Sequence, residues 1–184
     1  MKVLAILGSA RRGGNTELLM KEALRGAGVE AEVLDLAELN YVGCQGCKAC
    51  RQAGADGCMF QDDMQMLYDK MKEADALILG SPVYYGEVTG QMKSFMDRWY
   101  ALRDGDRRLR LPAGKKALFI LVQGADGDDR YESAVRRLEK VLTSYEMSPR
   151  LVVAAGLEKK GAVKEHPELL AAAFATGRWL AERP

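Results

Sequence analysis

The sequence predicts an α/β fold in which a five-stranded parallel sheet carries helices on both faces. Short runs rich in Val, Ile and Leu alternate with longer amphipathic segments along the 184 residues. The strand segments are apolar throughout, as strands covered on both faces require. The crossovers between them are long and helical, which favours parallel pairing and right-handed β-α-β units.

The predicted strands lie at residues 2–7, 29–34, 76–79, 117–122 and 151–154, and the predicted helices at 15–27, 62–73, 89–101, 129–145 and 167–180. Asp62 and Gln65 have the spacing of a capping box at the start of the second helix. Pro167 is a favoured first residue for the last helix. Five strands in a chain of this length favour a three-layer α/β/α, flavodoxin-like fold with strand order 2-1-3-4-5.

Composition excludes several classes of protein. The chain has 27 Lys and Arg against 26 Asp and Glu, so we expect neither nucleic acid nor a membrane as its partner. No apolar run approaches the roughly 20 residues of a membrane span, and the N-terminus indicates a first strand rather than a signal peptide. We expect a cytoplasmic protein with a single domain over residues 1–184, interrupted by a cysteine-rich insertion at about 39–61.

The loop after the first strand has the chemistry of a phosphate site. Its sequence is Gly8-Ser9-Ala10-Arg11-Arg12-Gly13-Gly14-Asn15-Thr16. Glycines permit tight turns, a helix N-terminus attracts anions, and guanidinium groups bind phosphate in a bidentate manner. The loop matches neither the dinucleotide fingerprint nor the Walker A motif, so a single terminal phosphate fits better. The alternative is an ordinary turn between a strand and a helix.

Two further loops are expected to meet the first at the carboxyl end of the sheet. They are Ser81-Pro82-Val83-Tyr84-Tyr85-Gly86 and Gln123-Gly124-Ala125-Asp126-Gly127. The tyrosines and Gly86 are suited to lie against a planar heterocycle. Taken alone, the tyrosines would be interpreted as a cover for the end of the sheet.

All four cysteines lie within 15 residues, at Cys44, Cys47, Cys50 and Cys58. Clustering indicates metal or redox chemistry rather than a disulfide framework. In a helix the first three would share one side, and Cys58 would return across glycine turns as a fourth ligand. Such a set suits a [4Fe–4S] cluster, while zinc, unligated thiols and a regulatory disulfide remain alternatives.

These motifs resemble those of the NAD(P)H-dependent FMN reductases. The first loop resembles the phosphate loop of that family, residues 81–89 resemble its flavin loop, and residues 91–98 are similar to the helix that follows. The cysteine spacing, followed by Asp62-Asp63-Met64, resembles the iron–sulfur flavoprotein branch.

The resemblance implies a bound FMN and assigns residues to it. Phosphate contacts are implied for Ser9, Arg11, Asn15 and Thr16, and contacts with the ring for Pro82, Val83, Tyr84, Tyr85, Gly86 and Gly124. The implied cluster ligands are Cys44, Cys47, Cys50 and Cys58.

The resulting prediction is an FMN-dependent oxidoreductase in which the flavin performs the chemistry and no side chain is a catalytic nucleophile or base. NAD(P)H or a ferredoxin-type protein would donate electrons, the cluster would relay them to FMN, and a small molecule would accept them. One alternative is a cluster-free NAD(P)H-dependent FMN, quinone or nitro reductase. The other is a non-enzymatic, metal-binding regulatory module. We also expect a homodimer or homotetramer in which a neighbouring subunit completes the region near Trp99 and Tyr100.

Overall fold

The structure, a computed structural model, describes residues 1–127 and 131–182. Its parallel strands are β1 (Val3–Leu7), β2 (Ala31–Asp35), β3 (Ala76–Tyr84), β5 (Lys116–Val122) and β6 (Ser148–Ala154). Between β3 and β5 lies the two-residue β4 (Glu87–Val88), which pairs antiparallel with β3. The parallel strands have the order β2-β1-β3-β5-β6. This order confirms the predicted fold, with β5 and β6 as the predicted fourth and fifth strands.

The helices are α1 (Asn15–Ala27), α2 (Met64–Glu73), α3 (Gly90–Arg98), α4 (Glu132–Ser144) and α5 (Pro167–Ala181). The predicted third helix is shorter than expected, because a 3-10 turn at Trp99–Leu102 replaces its last residues. The predicted start of the fourth helix at Asp129 lies outside the described residues.

The predicted capping box at the start of α2 is wrong. Asp63 occupies the N-cap position. Asp62 instead binds Arg98, and Gln65 donates to the carbonyl oxygens of Cys58 at 2.9 Å and Phe60 at 2.6 Å. Gln65 therefore binds the preceding loop instead of closing the reciprocal cap, and the Asp62 carboxylate binds Arg98 of α3 and Met64 N–H.

The sheet separates two apolar cores. Leu4 and Ile6 of β1 face the core that contains α2, α3 and α4, and the alternate residues face the core of α1 and α5. The two helices α1 and α5 approach so closely that a Cβ on Gly177 would overlap the carbonyl oxygen of Ala23. This contact fixes α1, whose N-terminus lies at the carboxyl end of β1. No helix within the described ranges is long and apolar enough to cross a membrane.

Candidate functional site

A cavity of about 170 Å³ opens at the carboxyl end of the sheet, between the loops that follow β1, β3 and β5. We call it the loop cavity. Eight of the ten residues predicted to contact FMN line it: Ser9, Arg11, Asn15, Thr16, Pro82, Val83, Tyr84 and Gly124. Tyr85 and Gly86 do not belong to its lining. The three loops therefore meet as the sequence predicted.

The wall of the loop cavity nearest to α1 is suited to an anion. Gly14 is the N-cap of α1, and within the described chain no side chain caps its first turn. Uncapped N–H groups at a helix N-terminus, together with the helix dipole, attract phosphate. Ser9 and Thr16 are both buried at this wall. The residues therefore offer two hydroxyl groups and free backbone donors to a phosphate.

The two neighbouring arginines have different partners. Arg12 forms ion pairs with Asp35, at 3.2 Å, and with Glu38, both near the end of β2. Arg11 lines the loop cavity and donates to the carbonyl oxygen of Glu158 at 3.2 Å. Arg11 is thus the arginine placed to meet an anion.

The side chain of Asn15 holds the segment between β6 and α5 against α1. Its amide nitrogen donates to the carbonyl oxygens of Leu157 at 3.0 Å and Lys159 at 2.9 Å, and its oxygen accepts from Val163 N–H at 3.2 Å. The side-chain amide of Asn15 is therefore already bonded within the protein. The backbone N–H of Asn15 is the group left for a phosphate. Leu157 and Glu158 also line the loop cavity, and no local motif in the sequence predicts their place there.

The second loop forms a β-hairpin that extends beyond the sheet. Val83 pairs with Val88 and Tyr84 with Glu87, which leaves Tyr85 and Gly86 as the turn. Both have positive φ, 50° and 81°, as a type I′ turn requires. The Tyr84 ring is about half exposed and Tyr85 is fully exposed. Tyr84 therefore faces the cavity mouth while Tyr85 projects into solvent.

The four cysteines line a second, smaller pocket together with Phe60, Arg98 and Tyr100, and we call it the cysteine pocket. All four are free thiols; Cys44 and Cys47 are exposed, Cys50 is buried and Cys58 is half-buried. Burial raises the pKa of the Cys50 thiol. Cys58 lines this pocket with the other three cysteines, and its role as a fourth ligand stays a prediction.

The first three cysteines do not lie on a helix, so the shared side that a helix would give them is not formed. Only Ala49–Arg51 forms a 3-10 turn, and residues 40–48 have no regular structure. Gly46 and Lys48 adopt left-handed conformations, with φ of 65° and 59°, which a right-handed helix cannot include.

The cysteine-rich insertion at about residues 39–61, which we call the cysteine loop, is held in place by hydrogen bonds from outside it. At its neck, Asp63 N–H donates to Asn40 O at 3.2 Å, and Asn40 N–H donates to Asp63 Oδ2 at 2.6 Å. The two terminal nitrogens of Arg98 donate to the Asp62 carboxylate, at 2.7 and 3.0 Å. Arg98 also donates to Val42 O at 2.7 Å. Burial opposes ionisation of Asp62, but the bonds from Arg98 and Val42 N–H outweigh it and lower the pKa of this carboxyl.

The interior of the loop is held by Arg110. Its guanidinium donates to Cys50 O at 3.2 Å and to Ala55 O at 2.6 Å. The four thiols are a donor set that suits an iron–sulfur cluster. Over residues 1–127 and 131–182, however, no group of three or more His, Cys, Asp or Glu side chains has the arrangement of a metal site. The pocket thus has suitable ligands in an open arrangement.

Helix α3 lies against the segment that carries the cysteines. Tyr41, which precedes the cysteines, donates to Gln91 O at 2.8 Å near the start of α3, and Arg98 at its end lines the cysteine pocket. With a rise of 1.5 Å per residue, the helix spans roughly 13 Å. The loop cavity and the cysteine pocket share no lining residue and are therefore separate sites.

Comparison with known proteins identifies the family. The family model of the NADPH-dependent FMN reductases matches residues 1–158. The chain belongs to this family. It is accordingly a flavin-dependent oxidoreductase, and this membership argues against a regulatory module without enzymatic activity.

Individual relatives agree with this assignment to the FMN reductase family. An iron–sulfur flavoprotein of Methanocaldococcus jannaschii is 38% identical over 150 residues, which cover 80% of this chain and 74% of the relative. A Bacillus subtilis protein assigned by name to the NAD(P)H-dependent FMN-containing oxidoreductases is 27% identical over 177 residues, 94% of each chain. The structure of an NAD(P)H:quinone oxidoreductase from Methanothermobacter marburgensis has a TM-score of 0.72 and 18% identity, with 100% of this chain and 98% of that one covered. This last similarity concerns the fold alone.

Proposed function

We propose that the chain binds FMN in the loop cavity and a [4Fe–4S] cluster in the cysteine pocket, and transfers electrons between an external donor and a small-molecule acceptor. The observation that carries the FMN assignment is the loop cavity itself. Residues from three separate loops line one cavity at the uncapped N-terminus of α1.

The phosphate would be held by Arg11, by the hydroxyl groups of Ser9 and Thr16, and by the first N–H groups of α1, including that of Asn15. Pro82, Val83 and Tyr84 on one side and Gly124 on the other would enclose the ring. Tyr85 and Gly86, at the hairpin tip, remain proposed contacts for its outer edge.

When bound, FMN supplies a group that can accept hydride from a nicotinamide nucleotide and can release electrons one or two at a time. The protein's own contribution is to bind, orient and exclude water. The only histidine, His166, lies at the start of α5, is exposed and pairs with Glu168 at 3.0 Å. No His is therefore available as a general base in the loop cavity, which agrees with a flavin that performs the chemistry.

Cys44, Cys47, Cys50 and Cys58 would hold the cluster, which supplies one-electron exchange when bound. The name of the Methanocaldococcus relative supports this proposal, as does the common pocket that the four thiols line. The exposed Cys44 and Cys47 would have to move inward to complete the ligand set.

The proposed partners follow from this chemistry. NAD(P)H or a ferredoxin-type protein would donate electrons, and a homodimer or homotetramer would cover exposed aromatic groups such as Tyr85 and Tyr100. Four free thiols suit the reducing cytoplasm.

A cluster-free NAD(P)H-dependent FMN, quinone or nitro reductase is the second candidate. The open arrangement of the thiols in the described chain favours it, and so does the Bacillus subtilis relative, which aligns over 94% of both chains.

Two single variants separate the sites. The protein is prepared without oxygen, incubated with FMN, iron and sulfide, and assayed for flavin absorbance, bound iron and NAD(P)H oxidation. We expect Arg11→Gln to lower flavin content with iron unchanged, and Cys58→Ser to lower iron with flavin unchanged.

The outcomes distinguish the two candidate functions. Flavin without iron, and equal NAD(P)H oxidation by wild type and Cys58→Ser, would establish the cluster-free reductase. A wild-type protein that retains no flavin would overturn the FMN proposal altogether.

A further inference from the structure

The segment between β6 and α5 is part of the loop cavity and not a free connection. Asn15 binds it through Leu157, Lys159 and Val163, and Arg11 binds the carbonyl oxygen of Glu158. Leu157 N–H also donates to Gln123 O at 3.0 Å. Bonds to the first and third loops therefore fix the position of this segment beside the proposed phosphate site.

Lys160 extends from this segment along the first loop. Its Cε and Nζ lie 3.3 and 3.7 Å from the place that a Cβ on Gly13 would occupy. Among residues 1–127 and 131–182, no carboxylate lies within ion-pair distance of its ammonium group. The nearby Glu17 is already bound by Gly13 N–H and by Lys21. Lys160 is thus a cation without a protein counter-ion at the edge of the phosphate loop.

A second cation near the loop cavity would strengthen the binding of a phosphate monoester. Such a group carries between about −1.5 and −2 charges at pH 7. Arg12 is held by Asp35 and Glu38, so the first loop itself supplies only Arg11. Arg11 and Lys160 together would neutralise the dianion from two sides.

We infer that Lys160 is a second phosphate-binding cation of the FMN site and that it favours FMN over riboflavin, which lacks the phosphate. The inference rests on the proposed binding of FMN in the loop cavity. It assigns the segment after β6 a role in cofactor selection. Lys160 is exposed and lies outside the lining of the loop cavity, so its long, flexible stem would turn towards the phosphate when FMN binds.

The test compares Lys160→Gln with Lys159→Gln, which removes the same charge from the neighbouring exposed position. Dissociation constants for FMN and for riboflavin are measured by flavin fluorescence at low and high salt. We expect Lys160→Gln to weaken FMN binding by roughly three- to tenfold and to leave riboflavin binding unchanged. Lys159→Gln should change neither constant by more than about twofold. The effect of Lys160→Gln should shrink as salt increases, because salt screens exposed charges.

Three results would overturn the inference. They are equal FMN affinities of Lys160→Gln and wild type, equal losses in the two variants, and a loss in Lys160→Gln that extends to riboflavin. In each case the wild type still binds FMN and the proposed function stands. A wild-type protein that binds neither flavin would overturn both proposals.

Discussion

Thr89 Oγ1 donates a 2.7 Å hydrogen bond to the carbonyl oxygen of Gly8. Gly8 follows β1 and Thr89 is the N-cap of α3, so this buried bond joins the loop after β1 to the end of the β3–β4 hairpin. The same oxygen accepts from Met92 N–H at 3.3 Å, and Thr89 N–H donates to Ser81 Oγ at 3.0 Å. One threonine therefore fixes the relative position of two loops of the cavity.

Thr89→Val should destabilise the protein and weaken FMN binding. The variant leaves Gly8 O without its partner and removes the cap of α3, at a cost of about 2–3 kcal/mol. Urea unfolding and flavin titration measure the two effects. Thr89→Ser keeps the hydroxyl and serves as the control; equal losses in both variants would contradict the role of this bond.

Asn15→Ala should lower the free energy of unfolding by about 2–3 kcal/mol, because Leu157 O, Lys159 O and Val163 N–H lose their partner. Asn15→Asp should be worse in both stability and FMN affinity. It places a negative charge against two carbonyl oxygens and beside the proposed phosphate. Urea unfolding and flavin titration rank the variants, and an Asp variant equal to wild type would refute this interpretation.

Gly177→Ala should cost about 1–3 kcal/mol, because its Cβ would force α5 away from Ala23 of α1. Gly90→Ala is the matched control. A Cβ there meets nothing within 4 Å, so the change should be neutral or slightly stabilising. Thermal unfolding of the two variants measures the difference, and similar melting temperatures would argue against close packing of α1 and α5.

Asp62 should make the cysteine loop sensitive to acid. Its folded-state pKa is lowered, so its contribution to stability is complete above the ordinary carboxyl pKa of about 3.9 and is lost as the pH falls through the lower, folded value. Asp62→Asn cannot titrate, and its stability should change less over this acidic range. Urea unfolding from pH 5 downwards measures both slopes, and parallel slopes would contradict the prediction.

The cysteines should react with an alkylating reagent in a defined order. Cys44 and Cys47 are exposed, whereas Cys50 is buried and its thiol pKa is raised. Thiolate content and access both govern the rate, so Cys50 should be modified last in metal-free, reduced protein. Mass spectrometry of timed samples at pH 8 gives the order. Modification of Cys50 as fast as Cys44 would show that the loop opens readily.

The sequence predicted the parallel sheet well because buried strands and amphipathic helices have strong, distinct patterns. The bounds of α1 agree, and β3 is the clearest disagreement. It was predicted to end at residue 79, since Ser81 and Pro82 are typical of turns, but these residues pair with Leu121 and Val122 of β5. The ladder between neighbouring strands overrode the local preference for a turn.

The candidate site was predictable only where its residues form local motifs. Arg11 belongs to such a motif, whereas Leu157 and Glu158 come from a segment distant in sequence whose position depends on Asn15. The spacing of the cysteines alone does not determine the local structure of their loop. A three-residue spacing suits a helix, but side chains far along the chain, Arg98 and Arg110, hold it in an irregular form.

The bonds between Asn40 and Asp63 bring the two ends of the cysteine loop side by side. The intervening residues thus form a closed excursion from the connection between β2 and α2, and the chain enters and leaves it at almost the same point. Insertions or deletions within this excursion would alter the cysteine pocket, while β1, β3 and β5, whose loops line the cavity, would keep their pairing.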